Sequence, residues 1–357
     1  MIITRVLAFI LGIAVVAVTL TSVTRVLLVP RSTPDSLVRV VFLILRFLFR
    51  PWTHDSRPYA VRDRAMAYYA PVSLLALLPV WLSLVLIGYA GMFWALGLPT
   101  WREALRASGS SLFTLGFAPV DDMPKTLLMF SEAAIGLILV ALLIAYLPTM
   151  YAAFSKREAA VTLLEVRAGS PPSAAEMIER FHRNHGLERL SEMWQTWEAW
   201  FAEIEESHTS LPALVFFRSP QPDRSWVTAA GAVLDAAALT ASTLDLPRDA
   251  NAALCIRAGF IALRRVADFF QFPYNPNPHY PQDPISVTRQ EFDAIYDRLA
   301  GQGIPIKPDR DLAWRDWAGW RVNYDAVLLA LADLTMAPPA PWSSDRSQGR
   351  GKVKPKT

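Results

Sequence analysis

The chain has 357 residues, of which 53% are hydrophobic and 19% charged, and its mean hydropathy is +0.25. A soluble domain rarely scores so high, so membrane segments are expected. A net charge of +3, with no nucleic-acid motif, argues against DNA or RNA as a partner, and Cys255, the only cysteine, leaves no disulfide within the chain and suits a cytosolic place for its domain.

Residues 1–30 read as an N-terminal transmembrane helix. Val6 to Val29 is apolar apart from a few hydroxyls and Arg25, and ~20 apolar residues cross the hydrocarbon. A signal peptide with Arg5 as its positive end is the alternative. Residues 31–67 form an Arg-rich cytoplasmic segment. Within it Leu37 to Phe49 is apolar but too short to span, and Arg39, Arg46 and Arg50 share one helical face. That pattern predicts an interfacial helix whose arginines reach for lipid phosphates. A voltage sensor would place arginines at every third position instead. The second long apolar run is Tyr68 to Gly97, and the third is Thr126 to Tyr151, with Glu132 as its only charge. By the positive-inside rule, Arg31, Arg39, Arg46, Arg50, Arg57, Arg62 and Arg64 put the first loop in the cytoplasm. Pro99 to Lys125 then faces outward, and the chain returns to the cytoplasm at Lys156 and Arg157. From 156 to 336 a helical cytosolic domain is expected. Its helices are predicted over Ala174–Arg183, Leu187–Glu206, Val227–Thr243, Ala250–Phe270, Thr288–Ala300 and Asp311–Leu334, separated by Pro-rich breaks. Leu214-Val215-Phe216-Phe217 is a possible short strand. Residues 337–357 read as a basic disordered tail.

Between the second and third runs the pattern changes. Trp101 to Phe113 forms one amphipathic helix, with Thr100 as N-cap and Glu103 placed for a capping box. Entering from outside, it points its partly negative C-terminal end at the membrane centre, where a cation is favoured. Thr114-Leu115-Gly116-Phe117-Ala118 follows. Irregular backbone at that depth is tolerated only where it is buried in protein or lines a cavity. Gly116 can adopt the φ that turns successive carbonyls to one side, and Thr114 adds a hydroxyl. These residues form a candidate ion-selectivity filter. Asp121 and Asp122, just beyond it, are candidate outer-mouth carboxylates that concentrate cations. Glu132 costs ~3 kcal/mol inside a span and is functional by default. Ser108, Ser110, Ser111 and Arg106 are its candidate partners, and a brace for the loop is favoured over a place in the ion path.

On these residues, 68 to 155 resemble the pore module of the potassium channel superfamily, above all its two-helix bacterial members. There an outer helix, pore helix, filter and inner helix follow in this order. The family filter typically reads Thr-Val-Gly-Tyr-Gly-Asp; here Thr114-Leu115-Gly116-Phe117-Ala118-Pro119 stands in its place, and Thr114 and Gly116 match outright. Ser131-Glu132-Ala133-Ala134-Ile135-Gly136-Leu137 is similar to the Glu-x-x-x-Gly-Leu pattern of the inner helix. The resemblance implies a homotetramer that passes a monovalent cation, K+, between backbone carbonyls. It implies Glu132 as filter support, Gly136 as gating hinge and Pro148 as a second bend. Ala118 and Pro119 depart from the pattern. If position 118 needs a positive φ, alanine costs ~1–2 kcal/mol per subunit. Pro119 also pushes Ala118 toward an extended conformation. Weaker discrimination of potassium over sodium is the expectation.

Other constellations read as structural. Trp194, Trp197 and Trp200, and again Trp314, Trp317 and Trp320, fall at helical spacing, and core packing is favoured over a cage for an organic cation. Glu179 with His182 and His185, or Glu205 with His208, falls short of the three or four ligands of a metal site. No phosphate-binding glycine motif or catalytic arrangement stands out. The expected fold is therefore an all-α membrane protein, a pore-loop channel module plus a helical cytosolic domain. The expected function is that of a tetrameric cation channel in the cell membrane, not an enzyme, with no cofactor besides the permeant ion. Membrane lipids, further copies of the chain and an unidentified cytosolic ligand or protein are the expected partners. A non-conducting scaffold or sensor built on a degenerate pore fold is the alternative.

Overall fold

The computed structural model describes residues 2–29, 35–54, 56–120 and 122–349. Its helices are α1 (Ile2–Leu27), α2 (Ser36–Thr53), α3 (Tyr59–Ala95), α4 (Trp101–Leu112), α5 (Met123–Ala168), α6 (Ala174–Arg183), α7 (Leu190–Ser210), α8 (Trp226–Ser242), α9 (Ala250–Phe269), α10 (Arg289–Gly301), α11 (Arg310–Arg321) and α12 (Asp325–Thr335). No strand is formed among the described residues, and the single β-bridge joins Leu244 to Ile306. Helices α1, α3 and α5 are long and apolar enough to cross a membrane. The chain divides into two units: Met1–Pro51 with Tyr68–Ala152, and Trp52–Ala67 with Ala153–Thr357. Helices α3 and α5 each contribute residues to both units.

In the first unit α1 crosses α3 where Gly12 meets Gly88. Lower down, the Trp81 indole donates to Ser22 Oγ (3.3 Å), and Ser22 donates to Asp35 Oδ1 (2.9 Å), which also accepts from the Val38 amide and so caps α2. Helix α2 rests on Tyr69, whose hydroxyl donates to the Phe42 carbonyl (3.1 Å) and whose ring stands edge-on to Phe42 and Phe49. Arg39, Arg46 and Arg50 are exposed on it, and so are Val40, Leu43, Ile44, Phe47 and Leu48. An exposed apolar face beside an arginine stripe suits a helix lying in an interface. Along the part of α5 in this unit the buried positions are Glu132, Gly136, Leu139, Leu143, Tyr146 and Met150, a stripe at alternating spacings of three and four. The opposite face leaves Phe130, Leu137, Ile138 and Ile144 exposed.

The second unit is built around α8. Nearly every residue of α8 is buried, as expected of a helix that is apolar on all sides. Helices α6, α9, α11 and α12 pack on it, and α7 packs on α9. Trp194, Trp197, Trp200, Trp314 and Trp317 are buried, while Trp320 lies half-buried on the far edge of α11.

Several boundaries differ from the sequence expectation. The predicted helix over Asp311–Leu334 is two helices, broken at Val322–Tyr324. There the Asn323 side chain donates to the carbonyls of Gly319 and Trp320, and Arg321 turns into the core. Arg321 is wholly buried. It binds both oxygens of Asp235 (2.7 Å each), Asp325 (2.7 Å) and the Trp342 carbonyl (2.6 Å). Burial works against its charge, but Asp235 and Asp325 keep it firmly protonated. That last bond also corrects the expected tail, because Ala337, Ala340, Trp342, Ser343 and Ser344 are buried and Arg346 pairs with Glu291. Residues 350–357, the basic end of the expected tail, lie outside the described residues. The possible strand at Leu214–Phe217 is instead a 3-10 turn over Pro212–Phe216, started by its proline. Helix α5 runs on past Lys156 through a stretch of good helix formers, until Gly169, at φ +80, ends it.

Candidate functional site

Helix α4 is placed by its serines. Thr100 caps it, accepting from the Glu103 amide at 3.2 Å. The buried Ser108 hydroxyl lies 2.9 Å from the Leu86 carbonyl of α3 and 2.5 Å from Glu132 Oε1 of α5. Ser111 donates to the Met129 carbonyl of α5 at 2.6 Å. Of the candidate partners of Glu132, Ser108 is therefore the one that meets Oε1, while Oε2 is buried with no hydrogen-bond partner among the described residues. Gly136 lies directly beneath the end of α4. A Cβ at that position would stand 2.3 Å from the Leu112 carbonyl oxygen. A close contact thus requires glycine there, and α5 passes both Gly136 and Pro148 as one continuous helix.

The loop after α4 is a Schellman turn. The Thr114 amide donates to Ser111 O (2.9 Å) and the Leu115 amide to Ser110 O (2.8 Å). Thr114 takes the left-handed position, at φ 55, which glycine normally fills. For a β-branched residue this is a true outlier, of the kind that clusters at functional sites. Gly116 is left-handed as well, at φ 72, and its amide also points to Ser110 O (3.4 Å). The Ala118 amide donates to Ser110 Oγ (3.1 Å). Ala118 itself does not adopt a left-handed conformation, so the cost conditional on one does not arise.

Ser110 therefore gathers three amides of the loop. A trans peptide sends its N–H and C=O in opposite directions, and these peptides are trans. The carbonyls of Thr114, Leu115 and Phe117 must then point away from Ser110. No hydrogen bond from a described residue reaches them, nor the carbonyl of Gly116. Leu115 and Phe117 are 63% and 54% exposed, Thr114 and Gly116 are exposed too, and the Phe117 ring lies under Arg106. In the sequence Ser110 stands out only as a candidate partner of Glu132. Its place two residues before the last helical position, where a Schellman turn accepts, is the signal that was available.

Asp122 is engaged rather than free. Its Oδ1 accepts from the Lys125 amide (3.0 Å) and its Oδ2 pairs with Lys125 Nζ (2.5 Å). Asp121 lies outside the described residues. The pairs weighed as metal ligands are taken apart by arginines: Glu179 binds Arg298, Glu205 binds Arg265, and His208 lies against Arg157. Among the described residues no cluster of three or more His, Cys, Asp or Glu converges to hold a metal. Burial pushes the Cys255 thiol up, so it stays protonated. Compared with known proteins, the chain matches no family model, no curated protein and no solved structure.

Proposed function

We propose that the chain is one subunit of a tetrameric cation channel, and that the loop Thr114–Ala118 lines its ion path. The observation that carries this reading is the row of loop carbonyls turned away from Ser110 with no partner among the described residues. The loop hangs from a helix that bonds to Leu86, Met129 and Glu132, all within the apolar runs of α3 and α5. At that depth in a bilayer an unpaired carbonyl costs several kcal/mol, and a dehydrated cation held between copies of the loop satisfies it. The C-terminal end of α4 adds a favourable dipole. One loop encloses only part of such a path, so further copies of the chain are part of the proposal. So are a cytoplasmic C-terminal unit and potassium as the preferred ion.

Recording from the purified protein in planar bilayers, with potassium on one side and sodium on the other, tests this. Unitary currents with a reversal potential on the potassium side support it. Ala118→Gly combined with Pro119→Asp should move the reversal potential further toward that of potassium. A folded protein that counts as a monomer in nanodiscs and passes no current sinks the channel reading and leaves the scaffold.

A further inference from the structure

The stretch from Leu214 to Arg218, in the second unit, holds both helices that flank the candidate loop. On one side stands Arg157 of α5, 3% exposed. Its Nη1 donates to the Leu214 carbonyl (2.8 Å) and its Nη2 to the Phe217 carbonyl (2.7 Å). Glu158 fixes the fork through Nε (2.8 Å), and the Phe154 ring packs against the Phe217 ring. On the other side Arg218 reaches the first turns of α3. Its Nε and Nη2 bind Asp63 Oδ1 (2.8 and 2.6 Å), and Nη2 donates to the Tyr59 hydroxyl (3.0 Å). Its Nη1 donates to the carbonyls of Thr335 and Met336 (2.5 and 2.9 Å), at the C-terminal end of α12, where a cation is favoured. The Trp226 indole ties the Val215 carbonyl to the start of α8 (3.2 Å).

The Phe217 carbonyl and the Arg218 amide belong to one rigid peptide plane. One carbonyl that Arg157 grips and the residue whose guanidinium grips α3 are therefore neighbours across that peptide. From there each helix continues unbroken into its apolar run. Resting on the channel reading, we propose that Leu214–Arg218 is the clamp through which the C-terminal unit sets the gate, with Arg157 and Arg218 as positioning residues that hold α5 and α3 together. The bonds depend on the planar guanidinium fork, so lysine is not an equivalent. Ion preference does not depend on the clamp, because no residue of the loop takes part in it.

The test uses the full chain in bilayers and nanodiscs, with Arg218→Ala, Asp63→Ala, the double variant, and Arg218→Lys as the variant that preserves charge and bulk. Each single variant should shift open probability about 5-fold or more, the lower end of coupling between distant sites. The double variant should shift it no further than Arg218→Ala alone, and the reversal potential should stay put. Amide exchange provides a readout that needs no current. Arg218→Ala and Arg218→Lys should speed exchange both at residues 59–66 of α3 and at residues 153–160 of α5. Faster exchange confined to α3, or a wild-type open probability in both single variants, overturns the clamp. A wild-type protein that passes no current removes the channel reading, and exchange in the two helices then still decides whether α3 and α5 are held as one.

Discussion

Two short turns, each following a helix, treat their carbonyl groups in opposite ways. After α7, the turn from Leu211 to Arg218 gives its carbonyls to side chains. Leu214 and Phe217 accept from Arg157, and Val215 accepts from Trp226. After α4, the turn from Phe113 to Ala118 gives three of its amides to Ser110, and no donor among the described residues reaches the carbonyls of Thr114 to Phe117. The first arrangement is complete in itself and braces the fold. The second leaves exposed acceptors open, and on the channel reading proposed above they face the ion. A buried backbone group without a partner is costly, so the first turn must pair its carbonyls inside the fold, whereas the exposed second turn is under no such constraint.

The largest effect should come from breaking the satisfied turn. Arg157→Ala strands the buried Leu214 carbonyl and the part-buried Phe217 carbonyl and leaves Glu158 without its cation, a loss of ~3–5 kcal/mol. Chemical denaturation of the full chain in detergent should show the transition of the C-terminal unit moving to lower denaturant, and a variant as stable as wild type would mean that water replaces the guanidinium at no cost. Gly136→Ala should be smaller, ~1–3 kcal/mol of overpacking, because the new methyl meets the Leu112 carbonyl. Since Leu112 directly precedes the open loop, this variant should alter ion preference as well as gating. A change in open probability alone, with an unmoved reversal potential, would favour a pure hinge at Gly136.

Acid should loosen the satisfied turn next. His208 is wholly buried beside the Trp226 ring; Arg157, and through it Glu158, face it from α5, and Ser207 faces it from its own helix. Burial, reinforced by the charge of Arg157, holds its pKa well below the ordinary value. The imidazole therefore stays neutral in the folded chain, while the unfolded chain takes up a proton below pH ~6.5. Its contribution to stability is complete above that pH and is lost as pH falls below it, by up to ~1.4 kcal/mol per pH unit. Unfolding midpoints at neutral and mildly acidic pH check this, and His208→Asn should flatten the slope. The smallest effect belongs to the open turn. Thr114→Gly relieves a left-handed threonine, on the order of 1 kcal/mol in favour of the fold, so thermal stability should rise slightly. A drop instead would show that the Thr114 side chain holds the turn.

Much of the architecture was legible because the relevant forces are local. Length and hydropathy marked α1, α3 and α5 as spans. Thr100 and Glu103 marked the start of α4, Gly116 marked a turn beyond its end, and proline-rich breaks divided the C-terminal helices. The break at Asn323 was not legible, since no proline or glycine announces it and the pull on Arg321 comes from Asp235, far away in the chain. The packed segment from Ala337 to Ser344 was read as tail for the same reason, because its anchor is the bond from Arg321 to Trp342.

The sequence by itself determined which stretches are helical, which are apolar enough for a membrane, and that an irregular loop lies between two of them. Capping, periodicity and length involve residues within a turn or two of each other, so they can be read along the chain. Tertiary structure alone decided that Ser110 collects three of the loop's amides, that Gly136 makes room for the Leu112 carbonyl, and that Arg157 of α5 grips the Leu214–Phe217 turn while Arg218, next in the chain, grips α3. Apart from the loop's own turn, these contacts join residues distant in the chain, and their geometry depends on where packed helices bring donors and acceptors to within hydrogen-bond reach, which no local pattern encodes.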